Sequence, residues 1–321
     1  MNKAKILFNK IDEISYNMLK EFVDEFKQWK NSVVKKDYKD DYLIGQIYKE
    51  NVLFKKNKDE YTQLCRCHVC LALKCLEALL LRIEKEQINP AVYKQHIFEY
   101  IFDLKEYVEH IRKKDDQDYS FINGGKSYHD LSCVMFQEAK NLFWASTLDK
   151  ESPISYRTAL PLSVFALRRA IEVRLRRAIG IYKIVDENLK DAKLRHDFMF
   201  DFFKENLDLV ELKIDSIENL SKIYKWTNYT IHNGFIPKMW EVEYAFQYVS
   251  SLFEPDKPEH GQSWNIHSSV KIKDYKKLKQ NFEDSVKQEF SDDRDWNFRY
   301  FKKLEAVIMH ETECHDNSRR S

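Results

Sequence analysis

Glycine and proline are scarce, six of each among 321 residues, far below ordinary shares of about 7% and 5%. That scarcity excludes turn-rich sandwiches and barrels, collagen-like repeats and glycine-loop nucleotide folds, and no GxGxxG or Walker A segment occurs. An excess of one charge is equally absent, since 53 Lys and Arg oppose 52 Asp and Glu. General affinity for nucleic acid is therefore not expected, and any such binding has to come from a local patch. Long hydrophobic runs are missing too. The most apolar stretch, residues 69–83, is broken by Lys74, Glu77 and Arg82, so it does not span a bilayer. Residues 1–10 hold no apolar run of signal-peptide length. Six cysteines, four of them within residues 65–75, do not form a secreted disulfide framework. The expectation is a soluble, cytoplasmic protein with no membrane partner.

What is present is ample core material, 43% hydrophobic and 14% aromatic residues, enough to argue against global disorder. The fold class expected is all-α. Residues 1–112 carry helix-period patterns such as Ile11, Ile14, Met18, Phe22 and Phe26, with residues 37–55 open to a short strand pair or an irregular helix. A charged, glycine-containing stretch over 113–125 reads as a linker. Residues 126–254 read as a bundle of five helices, over about 127–146, 156–179, 194–205, 214–232 and 240–253. The second and fourth end at Gly180 and Gly234, natural C-terminal stops. Residues 254–261 form a second linker. The remainder, 262–321, reads as a mixed or helical extension, with a strand near 268–272 and helices over 275–286 and 296–309.

Two helices of the bundle carry the candidate chemistry. Along the second, Leu167, Ile171, Leu175 and Ala178 form a buried stripe. Five arginines, among them Arg168, Arg169 and Arg174, outnumber the single Glu172. Such a surplus suits phosphate binding through the planar guanidinium fork, against the plainer alternative of a solvated salt-bridge ladder. On the fourth, Ser221, Lys225, Asn228 and His232 recur at spacings of four, three and four, and so share one stripe. A cation, an amide and an imidazole in a row can neutralise, orient and move a proton at a phosphate; the alternative is that His232 caps carbonyls at a helix C-terminus. Cys67 and Cys70 have zinc-ligand spacing, but they lie in an apolar helical pattern where free cysteine packs as a small hydrophobe. No cofactor is expected.

The helix Ala166-Leu167-Arg168-Arg169-Ala170-Ile171-Glu172-Val173-Arg174-Leu175 and the later Trp226-Thr227-Asn228-Tyr229-Thr230-Ile231-His232-Asn233-Gly234, in that order, resemble the HEPN superfamily. The resemblance covers residues 126–254. It implies a helical bundle, often dimeric, and in many members a metal-independent ribonuclease of prokaryotic defence or toxin–antitoxin systems, whose motif is Arg, four to six residues, then His. His232 and Asn228 match. Thr227 stands where the Arg of the commonest spacing belongs, and Lys225 occupies the longest spacing. The resemblance thus implies His232 as the proton-transfer residue, Asn228 as the orienting group, and Lys225 with Arg168, Arg169 or Arg174 as phosphate anchors on RNA. The other reading is a non-catalytic module of this kind that docks a partner protein. A third is a zinc protein built on the N-terminal cysteines. Self-association through Trp226, Tyr229, Phe235 and Trp240 is expected of the bundle.

Overall fold

The low glycine and proline content is realised as a mostly helical chain. The computed structural model describes residues 2–48, 58–112, 121–122, 130–148, 155–254, 267–290 and 294–309, and the chain divides into two units, Met1–Tyr128 and His129–Ser321. Among the described residues no helix is long and apolar enough to cross a membrane.

The first unit contains α1 (Asn2–Asn9), α2 (Tyr16–Val33), α3 (Asp40–Ile47), α4 (Lys58–Glu86) and α5 (Lys94–Arg112). Ser15 caps α2 by accepting from the Met18 N–H at 3.3 Å. Leu19, Phe22 and Phe26 fall at helical spacing and pack with Cys65, Val69 and Leu76 of α4 and Ile97, Ile101 and Val108 of α5. Of the segment 37–55, where the sequence suits either a short strand pair or an irregular helix, the described residues 37–48 hold α3. Most of the expected linker 113–125 lies outside the described residues. Its Phe121 and Ile122 are buried in this first core.

The second unit is built around α7 (Tyr156–Ile179), which touches α6 (Ser132–Leu148), α8 (Phe198–Glu205), α9 (Ile217–Asn233), α10 (Met239–Val249) and α11 (Tyr275–Phe290). Leu160, Val164, Leu167, Ile171, Leu175 and Ala178 are all but fully buried, as befits a helix surrounded by neighbours. Gly180 ends it in the left-handed region at φ 81°, its N–H returning to the carbonyls of Arg176 and Arg177.

Among the described residues, five short strands complete this unit: β1 (Ile181–Val185), β2 (Val210–Leu212), β3 (Val270–Ile272), β4 (Asn297–Tyr300) and β5 (Val307–Ile308). β1 pairs antiparallel with β4, Ile181 facing Tyr300 and Val185 facing Asn297. β2 pairs antiparallel with β3, and β3 parallel with β5. Two expectations are corrected here. Residues 296–309 form no helix: Trp296, Phe298 and Tyr300 alternate with polar residues, a period of two that suits the β-branched β1. Nor do the described residues 267–309 stand apart as an extension, since α11 packs on α7 and the strands β3 to β5 pair within the second unit.

Candidate functional site

The site lies where α7 and α9 meet. Ser216 starts α9 by accepting from the Asn219 N–H at 3.2 Å, and Gly234 ends it at φ 64° with its N–H on the Tyr229 carbonyl. Leu220, Tyr224 and Thr227 are buried toward α7 and its neighbours, which leaves Lys225, Asn228 and His232 on the adjoining stripe. Those three residues share the stripe that their spacing predicts, and they line one open cleft of about 710 Å³. Lys222 replaces Ser221 in that lining, and Trp226 and Tyr229 add aromatic surface.

Arg168 crosses from α7 to the face of α9 at the position where the sequence offers Thr227. The residue is 7% exposed. All five N–H donors are engaged. Nε donates to Glu172 Oε1 at 3.2 Å, Nη1 to Thr227 Oγ1 at 3.3 Å and to Asn228 Oδ1, and Nη2 to the Tyr224 hydroxyl at 2.7 Å and His196 Nδ1 at 3.4 Å. The guanidinium carbon also sits 4.2 Å from the centre of the Tyr224 ring, a cation–π contact. Tyr224 in turn donates to Glu172. Burial, and then the Glu172 carboxylate, push the Tyr224 phenol well above its ordinary value. Arg168 therefore fixes the Asn228 amide through its oxygen, leaving the amide nitrogen to donate elsewhere.

The other arginines part company with it. Arg169 is exposed on the next face of α7. Arg174 is 2% exposed and inside the unit: its Nε donates to the Leu252 carbonyl at 3.0 Å and its Nη1 to the Glu305 carbonyl at 2.7 Å. The grouping of Arg174 with the phosphate anchors is corrected accordingly. Six residues past Arg168 is about 600° of rotation on an α-helix, hence a different face. Glu305 joins this buried cluster, accepting from Arg177 Nη1 at 2.7 Å and from the Ser132 N–H at 3.1 Å.

Four further residues line the cleft that the helical stripes did not reveal: Arg195, His196, Asp197 and Lys222. After β1 the chain turns on Asp186, whose carboxylate accepts from Lys190 N at 2.8 Å, and runs back so that Ala192 N reaches the Ile184 carbonyl at 3.0 Å. That return carries residues 195–197 to α9. Asp197 lies 3.3 Å from Lys225 Nζ and 3.1 Å from Arg195. Burial opposes its negative charge, but its backbone hydrogen bond, Lys225 and Arg195 together hold its pKa below the ordinary carboxylate value. The only signal for the first three is a polar triplet, Arg195-His196-Asp197, directly ahead of the aromatic α8.

Cys67 and Cys70 are buried with Val34 and Leu43 in a small apolar cluster, and burial pushes the Cys70 thiol up. Among the described residues no three His, Cys, Asp or Glu side chains are grouped to hold a metal ion. The other grouping of histidine and cysteine in the sequence, His310, Cys314 and His315, lies outside the described residues. Compared with protein-family models, with curated protein sequences and with solved structures, the chain matches none.

Proposed function

We propose that the α7–α9 cleft handles phosphodiesters, and that the second unit is a HEPN-like domain acting on RNA. The observation that carries this reading is Arg168. Its guanidinium lies against Thr227 and Asn228 from another helix, so an arginine adjoins the asparagine even though α9 supplies none, and His232 lines the same cleft as that asparagine. Lys222 and Lys225 give the cleft positive charge, opposed in its lining by Asp197, while the charge of Arg195 is met by Asp201 at 2.6 Å and Glu289 at 3.1 Å. Trp226 and Tyr229 among those cations suit the bases of an unpaired strand.

In this reading His232 accepts the proton of the RNA 2′-hydroxyl as that oxygen attacks the adjacent phosphorus. The bond to the 5′-oxygen breaks, leaving a 2′,3′-cyclic phosphate, and the departing oxygen takes up a proton from solvent water to become a hydroxyl. Asn228, held by Arg168, donates from its amide nitrogen to orient the phosphate. Lys225 offsets developing charge. Arg168 itself, with every donor occupied, positions these groups rather than anchoring phosphate.

Purified protein incubated with total RNA in EDTA tests the reading. Cleavage is expected, and His232→Ala should lower it by about 10²–10⁴. Equal cleavage by the variant, or none by the parent, defeats it. One observation favours a second reading, a non-catalytic module docking a second copy or another protein: Phe235, Ile236, Met239, Trp240 and Tyr244 are exposed together around the start of α10. Light scattering at micromolar concentration separates the two, because that reading requires a mass above one chain or capture of a partner without RNA cleavage.

A further inference from the structure

His196 lines the cleft with His232, yet its geometry suits it to a different task. A guanidinium only donates hydrogen bonds. Arg168 Nη2 lies 3.4 Å from His196 Nδ1, so in this contact Nδ1 presents its lone pair and the ring proton sits on Nε2. Such a ring is a poor base, because its lone pair is already taken. It is a poor acid too, because loss of the Nε2 proton would leave an imidazolate. What remains is an N–H donor on an exposed residue of the cleft wall, and among the described residues Nε2 has no protein partner.

We infer that His196 is a phosphate-binding residue, donating from Nε2 to a non-bridging phosphate oxygen, and that Arg168 holds it in that tautomer. The inference rests on the phosphodiester reading above and adds a division of labour between two imidazoles: His232 moves the proton and His196 holds the anion. Arg168 sets both halves of the arrangement, Asn228 through Nη1 and His196 through Nη2. Its direct neighbours Thr227, Tyr224 and Glu172 fix the guanidinium plane and with it the line on which the His196 ring is held.

Two measurements on the full chain decide the matter. Long-range proton–nitrogen NMR on ¹⁵N-histidine protein, at about pH 8 where an ordinary imidazole is neutral, should find His196 as the Nε2–H tautomer. Arg168→Lys should relax that preference toward a mixture. A single-stranded DNA oligonucleotide, which lacks the 2′-hydroxyl and cannot be cleaved by this route, then serves as the binding probe. His196→Phe should weaken its binding by about tenfold or more, whereas His196→Gln, which keeps a donor, should hold most of the affinity. An Nδ1–H tautomer, or unchanged binding by His196→Phe, overturns the inference while leaving RNA cleavage by His232 intact. If the parent protein keeps the Nε2–H tautomer but binds no oligonucleotide, the phosphodiester reading falls and the anion-holding role falls with it.

Discussion

Adjacent arginines on α7 offer a direct test of how the site is held. Arg168→Ala removes a buried guanidinium and strands three neutral partners on α9, Thr227 Oγ1, Asn228 Oδ1 and the Tyr224 hydroxyl. Each such hydrogen bond is worth about 1 kcal/mol net. The contact with the Tyr224 ring adds about 0.5–1 kcal/mol. The Glu172 side chain is 43% exposed, so that ion pair is screened by solvent and contributes little more. Relief of the arginine's own desolvation works the other way. The expected net loss is about 3 kcal/mol. For a unit the size of His129–Ser321, that lowers the melting temperature by about 6–12 °C. Five of the six tryptophans belong to this unit, so fluorescence-detected urea and thermal unfolding report it with little interference from the first. Arg169→Ala, one residue on and exposed, should stay within about 0.5 kcal/mol of the parent. Equal stabilities for the two variants would refute the claim that Arg168 organises the α7–α9 contact.

Three other outcomes are expected. Glu305→Gln leaves Arg177 and Arg174 without their buried carboxylate and should cost about 3–5 kcal/mol in urea unfolding; a loss under about 1 kcal/mol would mean the cluster relaxes freely. Tyr61, Tyr224 and Tyr300 are held above the ordinary phenol value of 10.0, first by burial and then by Glu106, Glu172 and Glu283 respectively. The neutral phenol is therefore favoured in the fold, so their contribution is intact below about pH 10 and is lost as pH rises beyond it. The urea midpoint should hold steady up to about pH 10 and fall as the pH is raised above it, and an unmoved midpoint contradicts this. Burial pushes the Cys65 thiol up to about 12 whereas Cys75 is exposed, so mass-mapped alkylation should modify Cys75 first and Cys65 only after denaturation.

Elements that announce themselves through local chemistry were legible in the sequence. α7 runs over the residues that its apolar period and Gly180 indicated, and the stripe Lys225, Asn228, His232 reaches one cleft because helical spacing alone dictates it. Contacts made across the fold were not legible. Arg168 and Thr227 are 59 residues apart, and nothing in either neighbourhood marks which of five arginines turns toward α9. Arg168 and Arg174 look alike in sequence, yet one borders the cleft and the other is buried beside Leu252 and Glu305. His196 sits on a return after β1, where no periodicity operates. The misread stretch 296–309 has apolar residues enough for a helix, and its strand character depends on β1 more than a hundred residues earlier.

That last pairing has a consequence for synthesis on the ribosome. The helices of the first unit find their core partners among residues that emerge before Tyr128, so that unit can condense while the rest is still being translated. The second cannot. Its central helix ends at a strand whose partner is β4, and its buried arginines wait for Glu305. Until those residues emerge, α7 carries buried-type charges and an unpaired strand edge in the open. Such a nascent chain is slow to close because its decisive contacts are distant in sequence, and in the interval it is the kind of intermediate that holding chaperones recognise.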